Sequence, residues 1–227
     1  MKIDMEKAAA ELRILRTFVD FVNSQIGVYC DCLAGFQGNK VRIERQVARV
    51  QRPVSRRIKD GQPVIVWASV EDPTSPDVLH HRIIRADEFV AANSEAGFNE
   101  QQLCWSIIVF LYAYWEEEIR PQIAEVRGVK SRDIKIHALG DLRILRKNII
   151  HNGGVLPNNE YAKLKVMNDI CLPNAKMTFT HDQMHKVFVH VKRAIGELIL
   201  EYSGHLPGAP NPAQIVGIAI SNGHGSK

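Results

Sequence analysis

The sequence predicts an all-α protein, an up-and-down helical bundle with a mixed, partly β insertion between its first two long helices. Three observations lead there. Apolar residues recur at helical spacing in several separated stretches; one stretch is apolar all round; and the one β-type run is short, bounded by Gly61 and Pro73. Composition agrees. The 227 residues are 45% hydrophobic and 24% charged, which suits one globular core with an insertion or a tail. The same figures exclude a disordered chain, a collagen-like repeat and a coiled-coil rod.

Ala8, Leu12, Leu15, Val19, Val22 and Ile26 fall on one stripe of a first helix, which Gly35 and Gly38 are expected to end. Residues 39–97 read as the insertion. It opens with a basic cluster from Lys40 to Lys59, continues through the β-type run Pro63–Val70 and the turn-rich Asp72–Pro76, and closes with a short helix from Ala86 to Ala92. Asn99 is placed to cap a second long helix, apolar on nearly every side from Leu103 to Trp115, which Pro121 should kink or end. Such a helix belongs at a bundle centre or in a dimer interface. Ser131 or Asp133 is expected to cap a third helix with Leu139, Leu142, Leu145 and Ile149 inward, and Asn152-Gly153-Gly154 stops it. A short helix is read from Asn158 to Met167. Thr180 caps the last one, whose stripe is Met184, Phe188, Val191, Ile195, Leu198 and Tyr202. The resulting layout is a helical domain over 1–203 and a mobile tail over 204–227.

Several functions are disfavoured. A net charge of +4 does not by itself mark a nucleic-acid binder, so local clusters carry that argument. The four cysteines are too few and too irregular for a disulfide scaffold, and Cys30-Asp31-Cys32 lacks the second pair of a zinc site. Charged residues at the start replace the apolar run of a signal peptide, and Leu103–Trp115 is shorter than the roughly 20 residues of a membrane span, so a soluble, cytoplasmic chain is expected. His181 and His185 have metal-compatible spacing without the glutamate of H-E-x-x-H. No phosphate-loop, dinucleotide or nucleophile-elbow motif occurs, so no cofactor is expected.

One segment does carry chemistry: Leu142-Arg143-Ile144-Leu145-Arg146-Lys147-Asn148-Ile149-Ile150-His151-Asn152-Gly153-Gly154. It puts an arginine, an asparagine and a histidine in the last turns of an apolar helix. A helix C-terminus favours a cation, and imidazole exchanges protons near neutral pH. A guanidinium presents forked donors that fit a phosphate. Together they suit phosphodiester cleavage, with His151 as general acid or base and Arg146 stabilising charge on the phosphorus oxygens. Five residues apart, they project about 140° apart on an ideal helix, so a composite site across a two-fold axis serves better than one chain alone.

Arg146-x4-His151 at the end of a bundle helix resembles the R-x(4–6)-H signature of the HEPN (higher eukaryotes and prokaryotes nucleotide-binding) superfamily. Arg132–His137 shows the same spacing, but the amphipathic helix, its Asn-Gly-Gly stop and the helix that follows favour the second copy. The resemblance implies an all-α, commonly homodimeric, metal-independent endoribonuclease of a toxin–antitoxin or phage-defence setting, held in check by an antitoxin or other regulatory protein. A substrate 2′-hydroxyl would attack the adjacent phosphate and leave a cyclic phosphate end. Arg146, His151, Asn148 and Glu116 are the candidate catalytic residues, Glu116 to orient His151 or hold Arg146. Lys147, Arg42, Arg45, Arg49, Arg56 and Arg57 are the candidate RNA-binding cations. Lys147 stands where active members often carry Asn, Asp or His, and the alternative it leaves is a catalytically silent module binding RNA, a nucleotide or a protein partner.

Overall fold

The computed structural model describes residues 5–50, 58–59, 62–70, 78–202 and 211–217. They form a mostly α-helical bundle with a small β insertion. The chain divides into two compact units, Met1–Val28 with Cys104–Lys227, and Tyr29–Leu103.

Helix α1 runs from Met5 to Val50 without a break. The expected stop at Gly35 and Gly38 does not occur. A Cβ built at either position meets nothing within 4 Å and neither residue adopts a positive φ, so each only lowers helix propensity, by about 1 kcal/mol relative to alanine. Apolar residues on both sides outweigh that cost: Leu15, Phe18, Val19 and Val22 are buried in the first unit, and Ile43 in the second. The first half of the basic cluster, through Arg49, is therefore helical rather than part of a looped insertion.

Beyond α1, the second unit contains strands β1 (Ile58–Lys59), β2 (Gln62–Val70) and β3 (Val78–Arg85), in the order β1-β2-β3 with antiparallel pairing. Ile65 pairs with Ile84. Helix α2 (Ala86–Ala92) follows where the sequence places it. Ile43, Ala86 and Phe89 make a small core, flanked by Val47, Ile65, Ile84 and Val90. The Asp72–Pro76 turn lies outside the described residues.

Helix α3 covers Phe98–Tyr114, so Asn99 is its second residue and not its cap. Cys104, Ile107, Ile108 and Leu111 are buried, whereas Phe110 is 59% exposed, so the apolar helix still has an outer face. Phe21 stacks on Tyr114 with ring centroids 4.0 Å apart. Pro121 does not end the helix. A π-helical turn over Trp115–Ile119, in which the Arg120 N–H reaches the Trp115 carbonyl, precedes it, and α4 (Arg120–Arg127) continues. Proline lacks an N–H and crowds the carbonyl four residues back, and the wide turn accommodates this at the first turn of α4.

Neither Ser131 nor Asp133 caps the next helix. Ser131–Asp133 form a single 3₁₀ turn, and α5 (His137–His151) starts after Ile136, without a side-chain cap. Leu139, Leu142 and Leu145 are buried as expected. Helix α6 is short, Asn158–Tyr161, not reaching Met167. Helix α7 (His181–Tyr202) opens with a reciprocal cap: Gln183 N–H donates to Thr180 Oγ1 at 3.2 Å, and Thr180 N–H donates to Gln183 Oε1 at 2.8 Å. In the expected tail, α8 (Pro212–Val216) is capped by Asn211, and both Pro212 and Val216 are buried; residues 204–210 and 218–227 lie outside the described residues. No helix among the described residues is long and apolar enough to cross a membrane.

Candidate functional site

Helix α5 organises both places where the first unit can do chemistry, one at each end. At its C-terminus, Asn148 is fully buried. Its side-chain amide donates to the Ile144 carbonyl at 2.8 Å, its side-chain oxygen accepts from the Asn152 side chain, and its backbone carbonyl accepts from Gly154 N–H at 3.0 Å. Asn148 thus locks the helix end, and in this chain it is buried rather than presented at the surface beside Arg146 and His151. Gly153 and Gly154 have φ of 58° and 84°, the left-handed conformations that complete the turn. A Cβ on Gly154 would lie 2.4 Å from the Trp105 ring, so the turn is pressed onto that indole.

Arg146 and His151 stand around this locked end. His151 is the last residue of α5 and is exposed. Arg146 is half-buried at the edge of the apolar face, and its Nε is buried without a hydrogen-bond partner. Among the described residues no carboxylate pairs with either. Glu116 lies on the π-helical turn and accepts from Arg120 Nη1 with both its oxygens, at 2.8 and 3.0 Å; the structure does not bring it together with His151 or Arg146. Lys147 is exposed and reaches Glu160 at 3.4 Å. Lys163, 2.8 Å from Glu160, is the main reason that carboxylate sits below its usual range, with Lys147 adding to the effect.

The other end of α5 opens into a cleft of about 630 Å³. Six cations line it, Arg120, Arg132, Lys135, Arg143, Lys163 and Lys165, against two carboxylates, Glu116 and Asp141, with His137 at the first turn of the helix. Its floor is apolar, with Ile134, Ile136, Leu139 and Ile144 beside Tyr112 and Trp115. Burial, reinforced by the neighbouring Glu116 carboxylate, raises the Tyr112 phenol above its usual range, so it stays protonated. Asp141 is buried beneath the cleft that it helps to line. It accepts the backbone N–H groups of Lys165, Val166 and Met167 at 2.7–3.0 Å, which fixes the segment carrying Lys163 and Lys165.

This cleft contains the Arg132–His137 pair, the copy of the spacing that the sequence ranked second, and most of its lining was not singled out from sequence. One signal was legible: Asp141 falls on the same helical face as Ala138 and Leu145, and a carboxylate there demands buried donors. Arg42, Arg45 and Arg49 line a separate hollow on the last turns of α1. Arg56 and Arg57 lie outside the described residues. No group of three or more potential metal ligands gathers among the described residues. The chain matches no protein-family model, no curated protein and no solved structure.

Proposed function

We propose that this chain is a HEPN-like, metal-independent endoribonuclease that cleaves RNA phosphodiesters at a composite site in a homodimer, in a toxin–antitoxin or phage-defence setting with a regulatory partner. One observation carries the reading. Arg146 and His151 flank a rigidly terminated helix end, and neither is neutralised by a carboxylate among the described residues. An arginine kept only for structure is normally paired when half-buried, because leaving a guanidinium donor dry and unmet costs free energy.

The chemistry follows from those two groups. His151 takes the proton from a 2′-hydroxyl as its oxygen attacks the adjacent phosphorus. The bond to the 5′-oxygen breaks, and that oxygen takes a proton from an imidazolium or from water. Arg146 holds the phosphorus oxygens as charge builds on them. The product ends are a 2′,3′-cyclic phosphate and a 5′-hydroxyl. Because Arg146 and His151 project about 140° apart on one helix, the pair acting on one phosphate comes from two copies of α5.

The test is cleavage of end-labelled RNA by wild type, His151→Ala and Arg146→Ala, with and without EDTA, alongside the mass in solution by light scattering. The expected result is cleavage by a dimer, indifferent to EDTA, with cyclic phosphate ends, falling about 10²–10⁴-fold on loss of His151. Equal cleavage by wild type and His151→Ala, or a strictly monomeric active protein, sinks the proposal. Binding of RNA without cleavage selects the silent module instead.

A further inference from the structure

We propose that the basic cleft at the start of α5, and the exposed face of that helix beyond it, bind the phosphodiester backbone of a single RNA strand and lead it toward His151. The identity of the polyanion rests on the ribonuclease reading above. That the ligand is anionic follows from the cleft itself.

Every carboxylate in this region is already engaged. Glu116 is held by Arg120, Asp141 by the backbone N–H groups of residues 165–167, and Glu160 lies between Lys147 and Lys163. Three of the lining cations have no such balance, whereas Arg120, Arg132 and Lys163 each have a carboxylate within 4.0 Å. Lys135, Arg143 and Lys165 line one cavity, and among the described residues their side chains make neither a hydrogen bond nor an ion pair. Gathered cations with no counter-charge raise the local potential and attract a polyanion, displacing its counterions.

The cations also form a path rather than a point. A second hollow shares Gly140, Arg143, Ile144 and Lys163 with the cleft and adds Lys147 and Glu160. Gly140, Ile144, Lys147 and His151 follow at spacings of four, three and four along one exposed stripe of α5. From His137 to His151 this stripe extends about 21 Å, the rise of the helix over that length. A ligand with regularly repeated charges fits such a track better than a compact anion does. The absence of exposed aromatic rings along the stripe points to backbone contact and not base stacking.

The experiment is fluorescence anisotropy with a labelled 2′-O-methyl RNA 12-mer, in which the blocked hydroxyl prevents cleavage while the full chain keeps its native site. Wild type is compared with Arg143→Glu/Lys165→Glu, both exposed positions, and with Arg13→Glu/Arg193→Glu, which changes net charge equally at exposed positions outside the cleft lining. Circular dichroism and thermal melting check that all three fold alike. The expected result is about tenfold or more weaker binding for the cleft variant, with the salt slope shallower by about 1.4 as two phosphate contacts vanish, and wild-type binding for the control. Equal binding by the cleft variant and wild type overturns the proposal, as does equal weakening by both variants. Competition by polyglutamate as effective as that by RNA of matched charge assigns the track to an acidic protein instead, and also overturns it. The two readings fail separately. Intact unmodified RNA with the expected binding pattern removes the nuclease and keeps the track; cleavage with unchanged binding by the cleft variant does the reverse.

Discussion

The two ends of α5 carry the same arginine–histidine spacing in opposite surroundings. At the N-terminal end, His137 opens the helix beside a cationic cleft, and Arg132 stands on the 3₁₀ turn before it. At the C-terminal end, Arg146 and His151 flank a helix terminus closed by Asn148 and two left-handed glycines. The first end offers concentrated charge with an apolar floor, the second a fixed geometry with few groups. On the proposed reading, the difference separates two tasks, holding a polyanion and placing a proton carrier. It also shows why spacing alone is a weak guide: five residues of separation say nothing about what other segments bring alongside.

Each end is held to a neighbouring segment by one buried polar side chain, and the comparison can be broken by removing the anchor. The largest effect is expected at Asp141. Replacing it with alanine leaves three N–H groups, one buried and two part-buried, without an acceptor and costs about 3–5 kcal/mol, read as a fall of roughly 10 °C or more in Tm. A drop of under about 2 °C would show that the segment carrying Lys163 and Lys165 does not depend on this anchor.

At the other end the test is steric. Gly154→Ala combines a positive φ with a Cβ 2.4 Å from Trp105 and should destabilise by about 3 kcal/mol. Gly153→Ala has the same handedness but open space, and should cost about 1 kcal/mol. Equal losses for the two, measured by denaturant melts, would mean that the turn is not pressed onto the indole.

The smallest effect concerns pH. Burial lowers the affinity of His190 on α7 for its proton, and this outweighs the opposing pull of Asp169 and Asp141. The unfolded chain therefore binds that proton more readily than the folded one. Stability present above about pH 6.5 is lost as pH falls through that value toward the lower folded one. His190→Gln should flatten the melting temperature across that window by a small margin; an unchanged slope would assign the acid sensitivity elsewhere.

Much of the bundle was legible because amphipathic periodicity is local. The stripes of α1, α5 and α7 follow from the spacing of their own apolar residues, and the Thr180 cap and the Asn152-Gly153-Gly154 stop are local hydrogen-bond and backbone chemistry. Differences arose where one local rule was outweighed by another contact, near or distant. Gly35 and Gly38 weaken a helix, yet α1 continues because Ile43 finds Ala86 and Phe89. Pro121 was expected to kink or end a helix, and a wide turn precedes it as the helix continues. Glu116 was assigned to the histidine end of α5, but four residues along its own helix Arg120 lies within reach of both its oxygens.

The sequence by itself determined the helical class, the position of most helices, the short β run and the identity of Arg146 and His151 as residues worth testing. Those rest on interactions within a few residues of each other, which composition and spacing encode directly. Only the tertiary structure decided that Asn148 faces inward and that cations from α4, α5 and the segments flanking α5 line one cleft. These depend on contacts between residues far apart in the chain, and on which polar groups the packed core leaves without a partner.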